Sequence, residues 1–205
     1  MSIQIINNVP NLEIETNQNE NGEIVVTIRQ NEIKTLSEFK PGSTVKIGER
    51  EYIVLEQSGD TTALITKEFV KTMAYSDETG DYVSSDVRNY LKTEFYAELE
   101  NAVGAENIIP HTVRMEAHDG TGKNKKVIDC VSLLTEDLYR RYREHLPAYG
   151  KWWWLATRVS YDDDLGYSRG VCYVSDCGIP FWFGCSYDYG VRPFCILNSC
   201  LPIKA

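Results

Sequence analysis

The residues that could carry chemistry crowd near the end of this 205-residue chain. Five of its six cysteines fall between Cys172 and Cys200, and three aspartates occupy positions 162–164. A structural zinc site needs about four converging ligands, usually in short paired spacings, and neither the cysteines nor the three distant histidines show that pattern. The sequence therefore predicts no metal. It favours buried or incidental thiols, because disulfides do not persist in a reducing cytosol.

The composition of the chain narrows the classes of partner that this protein can bind. A net charge of −9 argues against nucleic-acid binding, which depends on clustered Lys and Arg. No apolar run approaches the roughly 20 residues of a membrane span. The start of the chain, MSIQIINNVP, has neither a basic segment nor an apolar core, so we expect no signal peptide. We therefore expect that the protein is made in the cytoplasm. It could still leave the cell as part of a phage particle.

The chain divides into an arm over residues 1–35 and a body over residues 36–205. In the arm, LEIETNQNENGEIVVTIRQ alternates apolar and polar residues on both sides of Asn21-Gly22, which predicts a β-hairpin. A lone hairpin is marginally stable, so it must pack on the body or on a partner subunit. Homo-oligomerisation or attachment through this arm and simple addition to a sheet edge both fit.

The body has the pattern of an α+β domain. Strand patterns surround Gly48 and recur at "TALIT", residues 62–66. "SSDVRNYLKTEFYAEL" predicts a helix with Ser84 or Ser85 as its cap, and "TEDLYRRYREHLP" predicts a second helix capped by Thr135. After residue 157 only short strands and turns follow. The order lacks the alternating βαβ units of a parallel sheet.

The amino-acid composition of the chain changes sharply near residue 152. All 18 glutamates lie between Glu13 and Glu144, and residues 152–203 contain no Glu, Lys, Gln or Met. Codons that end in C or T cannot encode these types or Trp, but they do encode Tyr, Asp, Ser, Cys, Phe and Gly. Mutagenesis of adenines in AAC or AAT codons would create this bias. A β-rich core would create part of it, because strands disfavour Lys and Glu.

The same segment has the composition of a binding surface. Its tyrosines and phenylalanines are interleaved with serines and glycines, as in antibody loops, where Tyr supplies rigid contact area and Ser and Gly let loops adapt. Burial of about half of these rings in the core is the alternative interpretation.

The sequence also resembles a known family. "WWWLAT" (Trp152–Thr157) followed by "YGVRPFCIL" (Tyr189–Leu197) is similar to the C-terminal signature of bacterial and phage C-type-lectin-like variable proteins, the targets of diversity-generating retroelements. "PGSTVKIGEREYIVLE", "SSDVRNYLKTEFY" and "KVIDCVSLLTEDLYRRY" resemble the first hairpin and the two helices of that domain. The resemblance covers about residues 36–200. Arg158 stands where the family often has a proline.

The resemblance implies a C-type-lectin-like fold with a variable region over about 158–190 that binds a protein or cell-surface ligand without enzymatic activity or cofactor. It assigns five residues to the scaffold: Trp153, Trp154, Val191, Arg192 and Pro193. It assigns thirteen residues to ligand contact: Tyr161, Asp162, Asp163, Asp164, Tyr167, Tyr173, Asp176, Phe181, Phe183, Ser186, Tyr187, Asp188 and Tyr189.

Three alternatives stay open at this level. Some relatives of the fold oxidise cysteine, so Cys185 or Cys195 could be reactive, although no GxSxG, HExxH or phosphate-loop motif occurs. Calcium-dependent sugar binding would draw on "YDDDLG", which offers two or three of the 6–8 oxygens that calcium takes. The aromatic segment could instead be a subunit interface of a structural protein.

Overall fold

The computed structural model describes residues 12–30 and 33–204, which form a mixed α+β structure made mostly of strands. Three α-helical segments lie among these residues: α1 (Asp86–Tyr90), α2 (Tyr96–Val103) and α3 (Glu136–Arg141). Sixteen strands are distributed around them: β1 (Leu12–Gln18), β2 (Ile24–Gln30), β3 (Ile33–Thr35), β4 (Thr44–Ile47), β5 (Arg50–Ser58), β6 (Thr61–Thr66), β7 (Lys71–Ala74), β8 (His111–Arg114), β9 (Lys126–Asp129), β10 (Val131–Ser132), β11 (Trp153–Arg158), β12 (Gly170–Val174), β13 (Pro180–Gly184), β14 (Asp188–Val191), β15 (Phe194–Asn198) and β16 (Pro202–Lys204).

The main helix confirms the first helix prediction. Segments α1 and α2 are continuous through one π-helical stretch, Leu91–Phe95. Ser85 caps the helix, because its Oγ accepts a hydrogen bond from the backbone N–H of Arg88 at 3.1 Å. The residues that recur at every fourth position bury one face of the helix: Val87, Leu91, Phe95 and Leu99.

The second predicted helix is shorter than its sequence pattern. It begins as expected, with the Thr135 Oγ1 accepting from the N–H of Leu138 at 3.3 Å, but α3 ends at Arg141 and a 3₁₀ turn, Arg143–His145, follows. Along residues 12–30 and 33–204, no helix is long and apolar enough to cross a membrane.

Two five-stranded sheets form the body. The first has the strand order β10-β15-β6-β5-β4 and the second the order β13-β12-β11-β14-β7. Their neighbouring strands are antiparallel except for β11 and β14, which run parallel with Trp153 opposite Gly190. Strands β14 and β15 follow each other in the chain but belong to different sheets, so Arg192 and Pro193 make the crossing between them.

The second sheet has a hydrophobic core on each face. Strand β11 alternates between the two: Trp154 and Ala156 belong to one cluster of buried side chains, and Trp153 and Leu155 belong to the other. Because successive side chains of a strand point to opposite faces, this alternation fixes the sheet on both sides. It therefore gives a rigid base to the strands at its edge.

The predicted arm hairpin is confirmed where the structure describes it. Strands β1 and β2 pair with Ile14 opposite Ile28, and Gly22 adopts the positive φ of +81° that the turn requires. Within residues 14–28, no side chain joins either hydrophobic cluster of the body. Residues 1–11 and 31–32 of the predicted arm lie outside the described residues.

Candidate ligand-binding surface

Strand β13 is an edge strand with three exposed aromatic residues. It pairs on one side with β12, and no strand among the described residues pairs with its other side. Phe181, Trp182 and Phe183 are 53%, 43% and 44% exposed. Strand alternation directs Phe181 and Phe183 to one face of the sheet and Trp182 to the other.

Beneath Phe181 and Phe183 lies a layer of stacked rings. Tyr173, directly opposite Phe181 in β12, contacts that ring at a centroid distance of 6.3 Å. Tyr173 also stacks on Trp152 at 5.5 Å and packs against Tyr189 at 4.9 Å. Tyr189 is further held by Trp154, whose ring centroid is 4.4 Å away. The rings therefore run continuously from the core to the surface.

At the far end of the same face, Tyr187 extends the layer. Its ring lies 4.6 Å from Phe183 and 6.4 Å from Tyr189. On the opposite face, Trp182 contacts Tyr167 edge-on at 5.2 Å. We call these exposed residues the aromatic surface: Trp152, Tyr167, Phe181, Trp182, Phe183 and Tyr187.

The structure exposes most of the predicted ligand contacts. Ten of the thirteen residues are exposed: Asp162, Asp163, Asp164, Tyr167, Asp176, Phe181, Phe183, Ser186, Tyr187 and Asp188.

The expectation that Tyr173 and Tyr189 project is wrong. Their exposed fractions are 9% and 7%, because they lie in strands β12 and β14 and pack between the tryptophans and the outer rings. Burial, followed by the nearby Tyr173 and Tyr187, raises the pKa of Tyr189 to about 12. Both phenols support the aromatic surface from below, and both stay protonated at neutral pH.

Tyr161 is half-buried and stands apart from the aromatic surface. Its ring is flanked by Lys125 Nζ at 3.8 Å and Arg158 Cζ at 4.4 Å from the centroid. The backbone N–H of Tyr161 donates to Thr121 Oγ1 at 2.8 Å. Burial raises the pKa of Tyr161 to about 12. The expected contact role of this tyrosine therefore gives way to a structural one, which is to join loop 115–125 to strand β11.

The aspartates do not converge on one point. Asp162 caps a short 3₁₀ turn, since its Oδ1 accepts from the N–H of Asp164 at 3.1 Å. Asp163 reaches towards Arg158, with its Oδ1 3.8 Å from the guanidinium. Asp176 Oδ1 accepts from the N–H of Cys177 at 2.8 Å. These carboxylates shape turns and add negative charge around the aromatic surface.

The five residues assigned to the scaffold are all buried. Trp154 Nε1 donates to the carbonyl of Met73 at 3.0 Å, which ties β11 to β7. Arg192 Nε donates to the carbonyl of Thr66 at 3.0 Å, and its guanidinium lies over the Trp153 ring at 4.9 Å. Burial lowers the pKa of Arg192 to about 10, so the side chain stays charged at neutral pH.

The cysteines are all free thiols in this structure. Cys185 and Cys195, the two candidates for reactivity, are completely buried, and burial raises the pKa of Cys195 to about 12. A thiolate is the reactive form of cysteine, so this environment disfavours attack by Cys195. Cys177 and Cys200 are the exposed thiols.

Sequence reasoning missed two members of the aromatic surface. Trp152 and Trp182 are 45% and 43% exposed, but the codon argument set tryptophan outside the variable positions. Strand alternation could not have found Trp152, because it places this residue on the same face as the buried Trp154. Trp182 lies in a run of five apolar residues, 179–183, which is equally typical of a fully buried strand, so no local signal marks its exposure.

Searches of protein-family models, of curated proteins and of solved structures find no match to this chain.

Proposed function

We propose that this protein is a non-enzymatic binding protein that recognises a protein or cell-surface ligand through the aromatic surface. The observation that carries the proposal is the exposure of three rings on the edge strand β13. Two of them, Phe181 and Phe183, lie on the face that holds the buried layer of Tyr173, Tyr189 and Trp154. Water-exposed aromatic patches with a rigid base are typical of interaction sites, and aromatic anchors supply most of the energy at such sites.

The proposal includes a C-type-lectin-like fold. It is supported by the burial of every scaffold residue that the family resemblance names. It is also supported by the positions of Trp153, Trp154 and Val191 in adjacent parallel strands of one sheet. Two separate sequence motifs thus meet in the sheet that also holds β12 and β13, which supports their assignment to a structural frame.

We further propose that residues 158–190 are diversified by a retroelement. The ten exposed contact residues are all Asp, Tyr, Phe or Ser, which codons ending in C or T encode. The aromatic surface also contains Trp152 and Trp182, which would be constant members. Sequencing the flanking DNA tests this. We expect a nearby reverse transcriptase gene and an imperfect repeat that differs at adenines. The absence of such a repeat would leave only a static binding surface.

Binding is tested by flow cytometry with fluorescent tetramers of the protein on a panel of intact bacterial cells. We expect at least one strain to stain. Phe181→Ser combined with Tyr187→Ser should reduce the staining more than about tenfold, since a hot-spot residue contributes roughly 2 kcal/mol or more. The matched control is Ile128→Ser, which removes a 70% exposed apolar side chain from β9.

Equal staining by the three proteins would contradict the proposed surface. Light scattering of the same variants separates recognition from assembly. If the particle mass falls only in the Phe181/Tyr187 variant, the aromatic surface is a subunit interface instead.

A further inference from the structure

Three side chains that the aromatic surface does not use meet at the base of α3. His118 comes from the loop between β8 and β9, Glu136 is the first residue of α3, and Cys172 is the middle residue of β12. Their ligand atoms all lie within 4.8 Å of one another, and His118 Nδ1 is 2.8 Å from Glu136 Oε2. The sequence could not predict this group, because 18 and 36 residues separate its members along the chain.

The surrounding contacts hold the group in place. The N–H of His118 donates to the carbonyl of Arg158 at 2.9 Å, and the N–H of Glu136 donates to Thr157 Oγ1 at 2.9 Å. The end of β11 thus positions both side chains. Arg140 binds the other oxygen of Glu136 at 2.7 Å and leaves Oε2 directed at His118. An outer partner of this kind is what orients a metal-binding carboxylate.

Two of the three residues are buried, and the third is open to solvent. Glu136 and Cys172 are 4% and 1% exposed, whereas the His118 side chain is 42% exposed. His118 and Glu136 line a cleft of about 140 Å³ that also touches Arg114, Gly120 and Thr157. An ion can therefore reach His118 and Glu136 from this cleft, which has room for a water molecule, while Cys172 lies behind the residues that line it.

The donor set selects the kind of ion. One imidazole nitrogen, one carboxylate oxygen and one sulfur suit Zn²⁺, whereas Ca²⁺ and Mg²⁺ take oxygen ligands. Tetrahedral zinc with bonds of about 2.0–2.3 Å places its ligand atoms roughly 3.3–3.8 Å apart. The His118–Glu136 contact would have to open by less than about 1 Å to admit the ion, and the separations from Cys172, which lie within 4.8 Å, would have to close by up to about 1.3 Å.

We infer that this protein binds one Zn²⁺ through His118 Nδ1, Glu136 Oε2 and the Cys172 sulfur, with water as the fourth ligand. Binding releases the thiol proton of Cys172 to solvent, because the thiolate is the ligand form, and the proton that His118 Nδ1 donates to Glu136 moves to Nε2, because a metal-bound nitrogen carries no hydrogen. The inference does not depend on the proposed function. It does have a consequence there: Cys172 pairs with Trp182, so the ion would fasten β12, α3 and loop 115–125 beside the aromatic surface.

Cobalt(II) titration of the metal-free full-length protein tests the site, because Co²⁺ reports thiolate ligation by a charge-transfer absorption band. We expect one equivalent of Co²⁺ to produce the band and Zn²⁺ to abolish it. Cys172→Ser should remove the band, whereas Cys200→Ser and Cys177→Ser, which alter exposed thiols, should keep it.

His118→Gln provides the second variant, because it changes a partly exposed loop residue without opening the core. We expect an affinity for Co²⁺ at least about tenfold weaker, because loss of a ligand costs no less than loss of an outer partner that orients one, with an unchanged far-UV circular dichroism spectrum. The inference is overturned if the natural protein shows no band. It is also overturned if the band survives His118→Gln at full affinity, or disappears with Cys177→Ser or Cys200→Ser.

Discussion

The chain exposes two apolar hairpins, one near each end, and they are built differently. Hairpin β1–β2 exposes aliphatic residues, with Ile24, Val26 and Ile28 at 56%, 37% and 59%. Hairpin β12–β13 exposes aromatic residues instead. Every residue of β12 is buried, and its outer neighbour β13 therefore stands on the core of the body.

We propose that the two hairpins have separate uses. Aromatic rings fixed from below lose little conformational entropy on binding and can contact varied partners, which suits recognition. An aliphatic two-stranded hairpin has no such base and is marginally stable alone, so it gains most by permanent burial. We interpret the β1–β2 hairpin as an assembly element and β12–β13 as the binding element.

The largest expected effect concerns the base of the aromatic hairpin. Trp154→Ala should lower the free energy of unfolding by about 3–5 kcal/mol, because it empties a fully buried site under Tyr173 and Tyr189. Trp182→Ala removes the same side chain from the exposed edge and should cost about 1 kcal/mol or less. Urea unfolding followed by circular dichroism measures both values. Similar losses in the two variants would mean that the aromatic surface belongs to the core.

The elements of this fold that could be predicted are those whose signals lie within a few residues of one another in the sequence. The main helix and the arm hairpin follow from signals within a few residues, such as the cap at Ser85 and the turn at Gly22. The pairing of β14 with β7 joins Tyr189 to Met73 and has no local signal. The sequence shows where the aromatic residues are, but it does not predict which of their rings become buried. Burial of Tyr189, for example, depends on the pairing of β14 with the distant strand β7.

An intermediate effect is expected at high pH. The folded pKa values of Tyr161 and Tyr189 are raised to about 12, whereas an unfolded tyrosine titrates near about 10. Their contribution to stability is thus complete below pH 10 and is lost as the pH rises from 10 to 12. The urea concentration at the unfolding midpoint should fall between pH 9 and pH 11. This fall should be smaller in Tyr189→Phe than in the natural protein.

Tyr167→Phe is the matched control for this pH dependence, because its ring is 41% exposed and contacts Trp182 on the opposite face of β13. It should leave the difference between the two midpoints unchanged. A Tyr189→Phe variant that loses as much stability as the natural protein between pH 9 and 11 would argue against the buried phenol.

The smallest effect on stability is expected in the arm. Ile24→Ser combined with Ile28→Ser should change the free energy of unfolding of the body by no more than about 0.5 kcal/mol, because neither residue joins its core. The particle mass from light scattering should nevertheless fall, since the aliphatic face is removed. Val83→Ser, which alters an exposed valine of the body, should keep the mass. An unchanged mass in the arm variant would contradict the assembly role.

The short sheet of β3 and β16 places Thr35 opposite Pro202, so the chain enters and leaves the body side by side. The two points at which the polypeptide joins the body are therefore adjacent. The body can be carried at the tip of a longer polypeptide or inserted into one without stretching either junction. A fluorescent tag joined at Lys204, which lies opposite Ile33, would lie next to the root of the arm and would interfere with measurements of arm assembly.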